Sequence, residues 1–188
     1  MIYNVNKLMY NAIYGGAVMK VISAASGSVG ERDFSVHFPN GRGYYLYVHF
    51  RSKTMLYVDG EYIPVQAGTG IFYDKNQFQS YYGCGKEEFN HDYVFFDLNN
   101  EIEKNVFSNI PLGKPMFHIN PKYITNVIAL IEQEKYLPSN NAEEILSSLG
   151  LAFLYKAGRE IVYDNRRHNQ YTAFYHMRED IYKNPSFD

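Results

Sequence analysis

Six histidines, a single cysteine and 19 tyrosines are the residues of this 188-residue chain with the most chemistry to offer. The histidines stand at positions 37, 49, 91, 118, 168 and 176, and no two form the H-x-H pair that a metal-binding barrel uses with a nearby glutamate. His37, His49 and His91 fall on separate strand-like segments, where convergence inside a barrel would still permit a metal centre. Cys84 lies in Tyr82-Gly83-Cys84-Gly85-Lys86, a glycine-flanked turn. One cysteine allows no intramolecular disulfide and no cysteine-based metal site, which fits a reducing cytoplasm. No serine or cysteine nucleophile motif, phosphate loop or dinucleotide fingerprint is present, and Gly41-Arg42-Gly43 and Gly68-Thr69-Gly70 read as turns. No catalytic residue, cofactor or metal is therefore assigned.

Binding is the better-supported chemistry. In Phe89-Asn90-His91-Asp92-Tyr93-Val94-Phe95-Phe96, the residues Phe89, His91, Tyr93 and Phe95 share one parity and so one face of a strand. Aromatic rings, an imidazole and a phenol hydroxyl on one face suit a sugar. The C–H face of the sugar stacks on the rings, and a few directed hydrogen bonds fix its hydroxyls.

The elements that must position such a face come next. Aromatic residues make up 17% of the chain, as 19 Tyr and 13 Phe without Trp, and Tyr suits half-buried strands and pocket walls. The formal charge of −2 comes with no basic cluster beyond Arg166-Arg167-His168, which makes this chain alone a poor nucleic-acid binder. Met1 to Lys20 lacks the apolar core of a signal peptide, and no apolar run is long enough to span a bilayer.

Residues 1–17 read as an arm. Val18 to Ala24 reads as a first strand broken by Gly27-Ser28-Val29-Gly30, and Phe34 to Phe38 as a short strand before the turn at Pro39-Asn40-Gly41. Between Tyr44 and Arg51, parity sets Tyr44, Leu46, Val48 and Phe50 against Tyr45, Tyr47, His49 and Arg51, the pattern of a half-buried strand. Met55 to Val58 and Tyr62 to Val65 flank Asp59-Gly60, a two-residue hairpin signal. Ile71 to Tyr73, Gln79 to Tyr82 and Phe89 to Leu98 complete a series of short strands spaced as in a barrel or jelly roll.

Beyond residue 100 the periodicity becomes helical. Glu101 to Phe107 is a short amphipathic helix, and Pro111 to Pro115 a rigid crossing. Pro121 to Tyr136 places Ile124, Val127, Ile128 and Ile131 on one face. After Ser139-Asn140-Asn141 a second helix carries Ile145, Leu149, Ala152 and Phe153 on one stripe, with Leu146 and Leu154 beside it. The pair forms a helical hairpin that either packs on the barrel or makes a homodimer interface, with Ile145, Leu146, Leu149 and Phe153 as the contact residues. The predicted fold is mainly β with C-terminal helices: a cupin-like barrel over 18–100, a helical region over 101–162, and a linker with one more helix over 163–188.

The middle of the chain resembles the effector-binding domain of AraC-family transcriptional regulators. Pro39-Asn40-Gly41-Arg42-Gly43-Tyr44-Tyr45-Leu46 is similar to that family's P-x-G-R-x-D-Y-L, with Tyr44 in the aspartate position. Leu56-Tyr57-Val58-Asp59-Gly60-Glu61-Tyr62 resembles its hairpin, Ala67-Gly68-Thr69-Gly70-Ile71-Phe72-Tyr73 sits where it has P-G-D-L-L-L-F, and His91 to Phe96 sits where its barrel closes on an aromatic strand. The resemblance implies a cytoplasmic, non-enzymatic sensor that binds a small polar effector, a carbohydrate above all, and dimerises. It also implies that DNA is reached only through helix-turn-helix units lying beyond the I-x-x-N-P ending at Asn184-Pro185, outside this sequence. Carried over residue by residue, it implies effector contacts at Phe38, Tyr81, His91 and Tyr93, with Gln79 in a position often held by His. Phe38 stands where an arginine can occur, which argues against an anionic or strongly hydroxylated pentose-type effector. His37 and Tyr47 join the set by parity. Each residue also has a plain packing role, and parity alone does not name the inward face. A metal-dependent cupin enzyme acting on a sugar and a lectin-like module are the rival readings.

Overall fold

A computed structural model describes residues 18–158, apart from 32, 85–87, 119 and 138–139. The chain runs through β1 (Met19–Gly30), β2 (Ser35–Phe38), β3 (Tyr45–Phe50), β4 (Thr54–Val58), β5 (Glu61–Val65), β6 (Thr69–Tyr73), β7 (Gln79–Gly83) and β8 (Phe89–Leu98). Helix α1 (Asn100–Phe107), β9 (Pro115–Phe117), α2 (Pro121–Tyr136) and α3 (142–158) follow. The strands form two antiparallel sheets, a larger one ordered β1-β8-β3-β6-β9 and a smaller one ordered β2-β7-β4-β5. Their crossed connectivity is that of a cupin-like jelly roll, as the strand spacing predicts. The expected arm over 1–17 and the linker over 163–188 lie outside the described residues.

Two cores share the larger sheet. Between the sheets lie Leu46, Val48, Phe50, Leu56, Ile71, Tyr73, Tyr81 and Phe89. On the sheet's other face Tyr45, Tyr47, Phe72, Val94 and Phe96 pack against Ile124, Ile128 and Ile131 of α2 and against Phe153 and Leu154 of α3. Strand β3 is therefore buried on both faces at every residue, where its alternation predicts one wet face. The aromatic set Tyr45, Tyr47 and His49 faces helices, and a near-continuous apolar and aromatic run is what a doubly covered strand requires.

Local chemistry explains most boundaries. Asp59 and Gly60 both have positive φ, 51° and 100°, the conformation of the tight hairpin turn that their types predict. Asn99 caps α1 by accepting from the Ile102 N–H, and Asn120 caps α2 by accepting from the Tyr123 N–H, ahead of Pro121 in the first turn.

Three expectations are corrected. Gly27 does not end β1. The strand stays paired with β8 from Met19–Leu98 to Gly30–Phe89, and Gly27, at φ 66°, sits in a register shift between Ala25 and Ser28. A left-handed glycine in a paired strand makes a bulge. The segment after Pro111 is more than a crossing, since Pro115–Phe117 adds strand β9 to the edge of β6. Three residues beside a proline carry no readable period. Helix α3 is also rotated from the predicted stripe: Leu146, Phe153, Leu154 and Ala157 are buried, whereas Ile145 is 40% exposed and Ala152 is exposed.

Candidate functional site

The interior of the sandwich is built by parity. On β8, Phe89, His91, Tyr93 and Phe95 face the smaller sheet and form a ladder of rings. His91 lies 4.7 Å from Phe89 and 5.9 Å from Tyr93, and Phe95 lies 5.7 Å beyond Tyr93, centroid to centroid. From the opposite wall Tyr81 of β7 reaches to 6.4 Å from His91, and Gln79, two residues earlier, shares its face. Tyr73 of β6 joins the same core.

Several of these side chains carry polar atoms with nothing to bind. Gln79 is fully buried, and neither its Oε1 nor its Nε2 has a partner. The Tyr73 hydroxyl and His91 Nδ1 are likewise buried and unsatisfied. Native interiors leave few such groups, each costing about 1–3 kcal/mol. Three strands bring four such atoms into one core, which makes it the candidate site; His49 Nε2, Asn90 Oδ1 and Glu134 Oε1 are unsatisfied elsewhere. Burial pulls the His91 imidazole down to about 4, against the opposing pull of the Asp92 carboxylate behind it, so it is neutral at physiological pH. Burial also raises the Tyr73 and Tyr81 hydroxyls, with the neighbouring Tyr93 adding to the effect at Tyr81 and the Arg42 charge partly offsetting it.

Arg42 is the cation of this region. Its guanidinium carbon stands 4.4 Å from the centroid of Phe38 and 5.6 Å from that of Phe95, so it bridges the two walls by cation–π contact. Phe38 pairs with Gln79, and Tyr73 pairs with Leu46, which pairs in turn with Phe95. Arg42, Gln79 and Tyr73 therefore sit at one end of the sandwich. Sequence reasoning weighed the missing arginine at position 38 and passed over Arg42, whose P-x-G-R motif was the available signal.

The remaining predicted residues part company. Tyr81, His91, Tyr93 and Gln79 come together in the interior, and Phe38 borders it. Tyr47 does not: its hydroxyl lies 2.6 Å from His118 Nε2 on the helical side, and its ring packs 4.9 Å from Phe153. Gly70 makes room for that crossing, since a Cβ there would stand 2.5 Å from the Tyr47 hydroxyl. His37 points outward from the smaller sheet, exposed, 3.3 Å from Ser80 Oγ and edge-on to Phe78 at 5.2 Å. Parity with no inward reference assigned both residues to the wrong face. Of the proposed dimer contacts, Leu146 and Phe153 are spent on the sheet, while Leu149 is partly buried and Ile145 exposed.

His37, His49 and His91 thus occupy three separate environments. Among the described residues no group of three His, Cys, Asp or Glu side chains is placed to hold a metal ion. His49 and Asp92 make instead a buried polar cluster behind β8. Asp92 Oδ2 accepts from His49 Nδ1 at 2.9 Å and from Thr125 Oγ1 of α2 at 2.8 Å, and its Oδ1 accepts from the Gly27 N–H at 2.6 Å. Since a carboxylate only accepts, His49 must carry its proton on Nδ1. Burial pushes the Asp92 carboxyl up, but the hydrogen bonds from His49, Gly27 and Thr125 outweigh it and hold the group below the ordinary range. Among the described residues no helix is long and apolar enough to cross a membrane.

The two antiparallel sheets make a cupin-like fold, and the chain is similar to several solved structures. ToxT from Vibrio cholerae strain SCE256 is 14% identical with a TM-score of 0.46, matching 77% of this chain and 57% of its own. The AraC-like transcriptional activator CuxR is 9% identical over 61% of this chain and 43% of its own, with a TM-score of 0.41. A cupin_2 domain of an XRE family transcriptional regulator from Enterobacter cloacae is 13% identical over 44% of this chain and 99% of its own, with a TM-score of 0.32. This chain spans little more than half of the ToxT structures it matches. No family model matches the chain, and no curated protein matches its sequence.

Proposed function

We propose that this chain is the ligand-sensing part of an AraC-type transcriptional regulator. It takes a small polar effector of the carbohydrate class between its sheets and controls DNA binding by helix-turn-helix units outside this sequence. The observation that supports the reading is the fully buried, wholly unsatisfied Gln79 amide, on the same inward face of β7 as Tyr81, which meets His91 of the β8 ladder. An amide offers one donor group and one acceptor, and sugar hydroxyls satisfy both. The order and spacing of the sequence motifs supply the regulatory part of the reading.

Thermal unfolding against mono- and disaccharides, polyols and sugar acids tests it. An effector at about 100 times its Kd adds roughly 2.7 kcal/mol, a midpoint rise on the order of 5 to 10 °C for a domain of this size. Gln79→Met removes an orphaned amide while keeping its volume. The variant is expected to melt about 2–8 °C higher than the parent without ligand and to lose the ligand-induced rise. A variant that melts lower and still responds would refute the assignment.

Self-association belongs to the same proposal, through the outward stripe of α3 that includes Ile145, Leu149, Ala152 and Tyr155. Light scattering is expected to give a dimer that Ile145→Glu dissociates. A monomer at high concentration would count against it.

A further inference from the structure

We infer that the effector is an acidic polyhydroxyl compound, its hydroxyl-bearing body reaching Gln79 and Tyr73 between the sheets and its acid group resting on Arg42 at the mouth. The inference rests on the sensor reading above and adds the charge that the effector must carry.

Arg42 is held in place without being neutralised. It stands between Gly41 and Gly43, whose φ values of 62° and 78° lie in the left-handed region that glycine adopts freely. The Gly43 N–H donates to the Lys75 carbonyl at 2.9 Å. The turn so made lays the guanidinium across Phe38 and Phe95. Stacking of this kind uses the faces of the guanidinium and leaves its in-plane N–H donors unspent, and those donors match a carboxylate or phosphate two at a time. Among the described residues the ion pairs engage Arg51, Lys75 and Lys114 with Asp92, Asp97, Glu103 and Asp59. None of the carboxylates among the described residues takes Arg42. The two rings it covers belong to the rows Phe38–Gln79 and Tyr73–Leu46–Phe95, which brings the cation and the unsatisfied amide to the same end of the sandwich. The influence of Arg42 on the Tyr81 hydroxyl shows that its charge reaches into the interior.

The same atoms exclude two alternatives. A hydrocarbon body beneath an acid group would leave Oε1 and Nε2 of Gln79 and the Tyr73 hydroxyl unmet, and each unmet group lowers affinity about 5- to 150-fold. A neutral sugar would satisfy them but forgo the charge-assisted bonds at Arg42.

Calorimetric titration of the 188-residue chain decides. The probes are glucuronate, galacturonate and glucose 6-phosphate, their neutral parents glucose and galactose, and decanoate. At least one sugar acid is expected to bind ten times tighter or more than its parent, and the carboxylate and phosphate arms show which acid group is read. Arg42→Gln is expected to remove that advantage, weakening the sugar acid at least ten times more than its neutral parent. Gln79→Met is expected to weaken acid and parent alike. Neutral sugars binding as tightly as their acids, or acid affinity indifferent to Arg42→Gln, would overturn the inference and leave the sensor reading standing. Decanoate binding that survives or improves in Gln79→Met would overturn the polyhydroxyl body. Silence across every arm would overturn both readings.

Discussion

Replacing Asp92 with alanine is expected to destabilise the domain by about 3–5 kcal/mol, a third or more of what a domain of this size usually has. The carboxylate is fully buried and binds β3 through His49, the β1 bulge through the Gly27 N–H and α2 through Thr125. Arg51 adds a longer contact at 3.5 Å; truncation leaves the buried His49 donor and these partners without their acceptor, so the cost exceeds that of the bonds themselves. Asp92→Asn keeps the volume and one acceptor, but turns an NH2 group toward donors, and is expected to lose about half as much. The melting temperature of the alanine variant should fall by roughly 6–20 °C. Because Thr125 is one of the contacts that tie α2 to the sheet, hydrogen exchange of α2 should accelerate more than that of β4 and β5. A drop below 1 kcal/mol, or a uniform loss of protection, would show that Asp92 is a bystander.

The second large effect is on pH dependence. His91 titrates near 6.5 when unfolded and near 4 in the folded protein. Between those values the unfolded chain holds the proton and the native state refuses it. The contribution is fully present above about pH 6.5 and is lost as pH falls toward 4. The full difference corresponds to roughly 3 kcal/mol as an upper limit, of which about 2 kcal/mol should be visible between pH 7 and pH 5. Asp92 works in the same direction but lower. Its depressed folded value makes it stabilising above the ordinary carboxylate range, and that part disappears only as the pH falls through the folded value. Urea unfolding of the parent and of His91→Phe at pH 7, 6 and 5 separates the two groups. The parent should weaken across this interval and the variant should stay nearly level. Parallel curves would place the titrating group elsewhere.

How much of this was legible in the sequence depended on whether the signal was local. The hairpin at Asp59-Gly60, the capped helix starting at Pro121 and the aromatic strand from Phe89 to Leu98 each carry their own chemistry, and each stands where that chemistry puts it. The inward set on β8 was readable as a set, because parity is a property of one strand. Which side faced in was not, because that depends on what covers each face. Tyr47 shows the difficulty: it alternates as a pocket residue would, yet α3 covers its side of the sheet and Phe153 packs on its ring. Arg42 escaped for another reason. Its importance arises from two phenylalanines more than fifty positions apart, Phe38 and Phe95, which only the packing of the two sheets brings beneath one guanidinium. Strand β9 was illegible because its pairing with β6 depends on the partner's edge rather than on three residues beside a proline.

The alternation along β8 has a consequence for how such a protein changes over time. Phe89, His91, Tyr93 and Phe95 line the space between the sheets, while Asp92, Val94 and Phe96 seat the helices and the first strand. Two independent texts are thus interleaved on one ribbon. If the proposed site is right, substitutions at the less buried members of the first set, Tyr93 and Phe95, can re-tune what it accepts while the second set goes on anchoring the architecture. On that reading, a lineage can change its ligand along this strand by single steps that leave the fold standing.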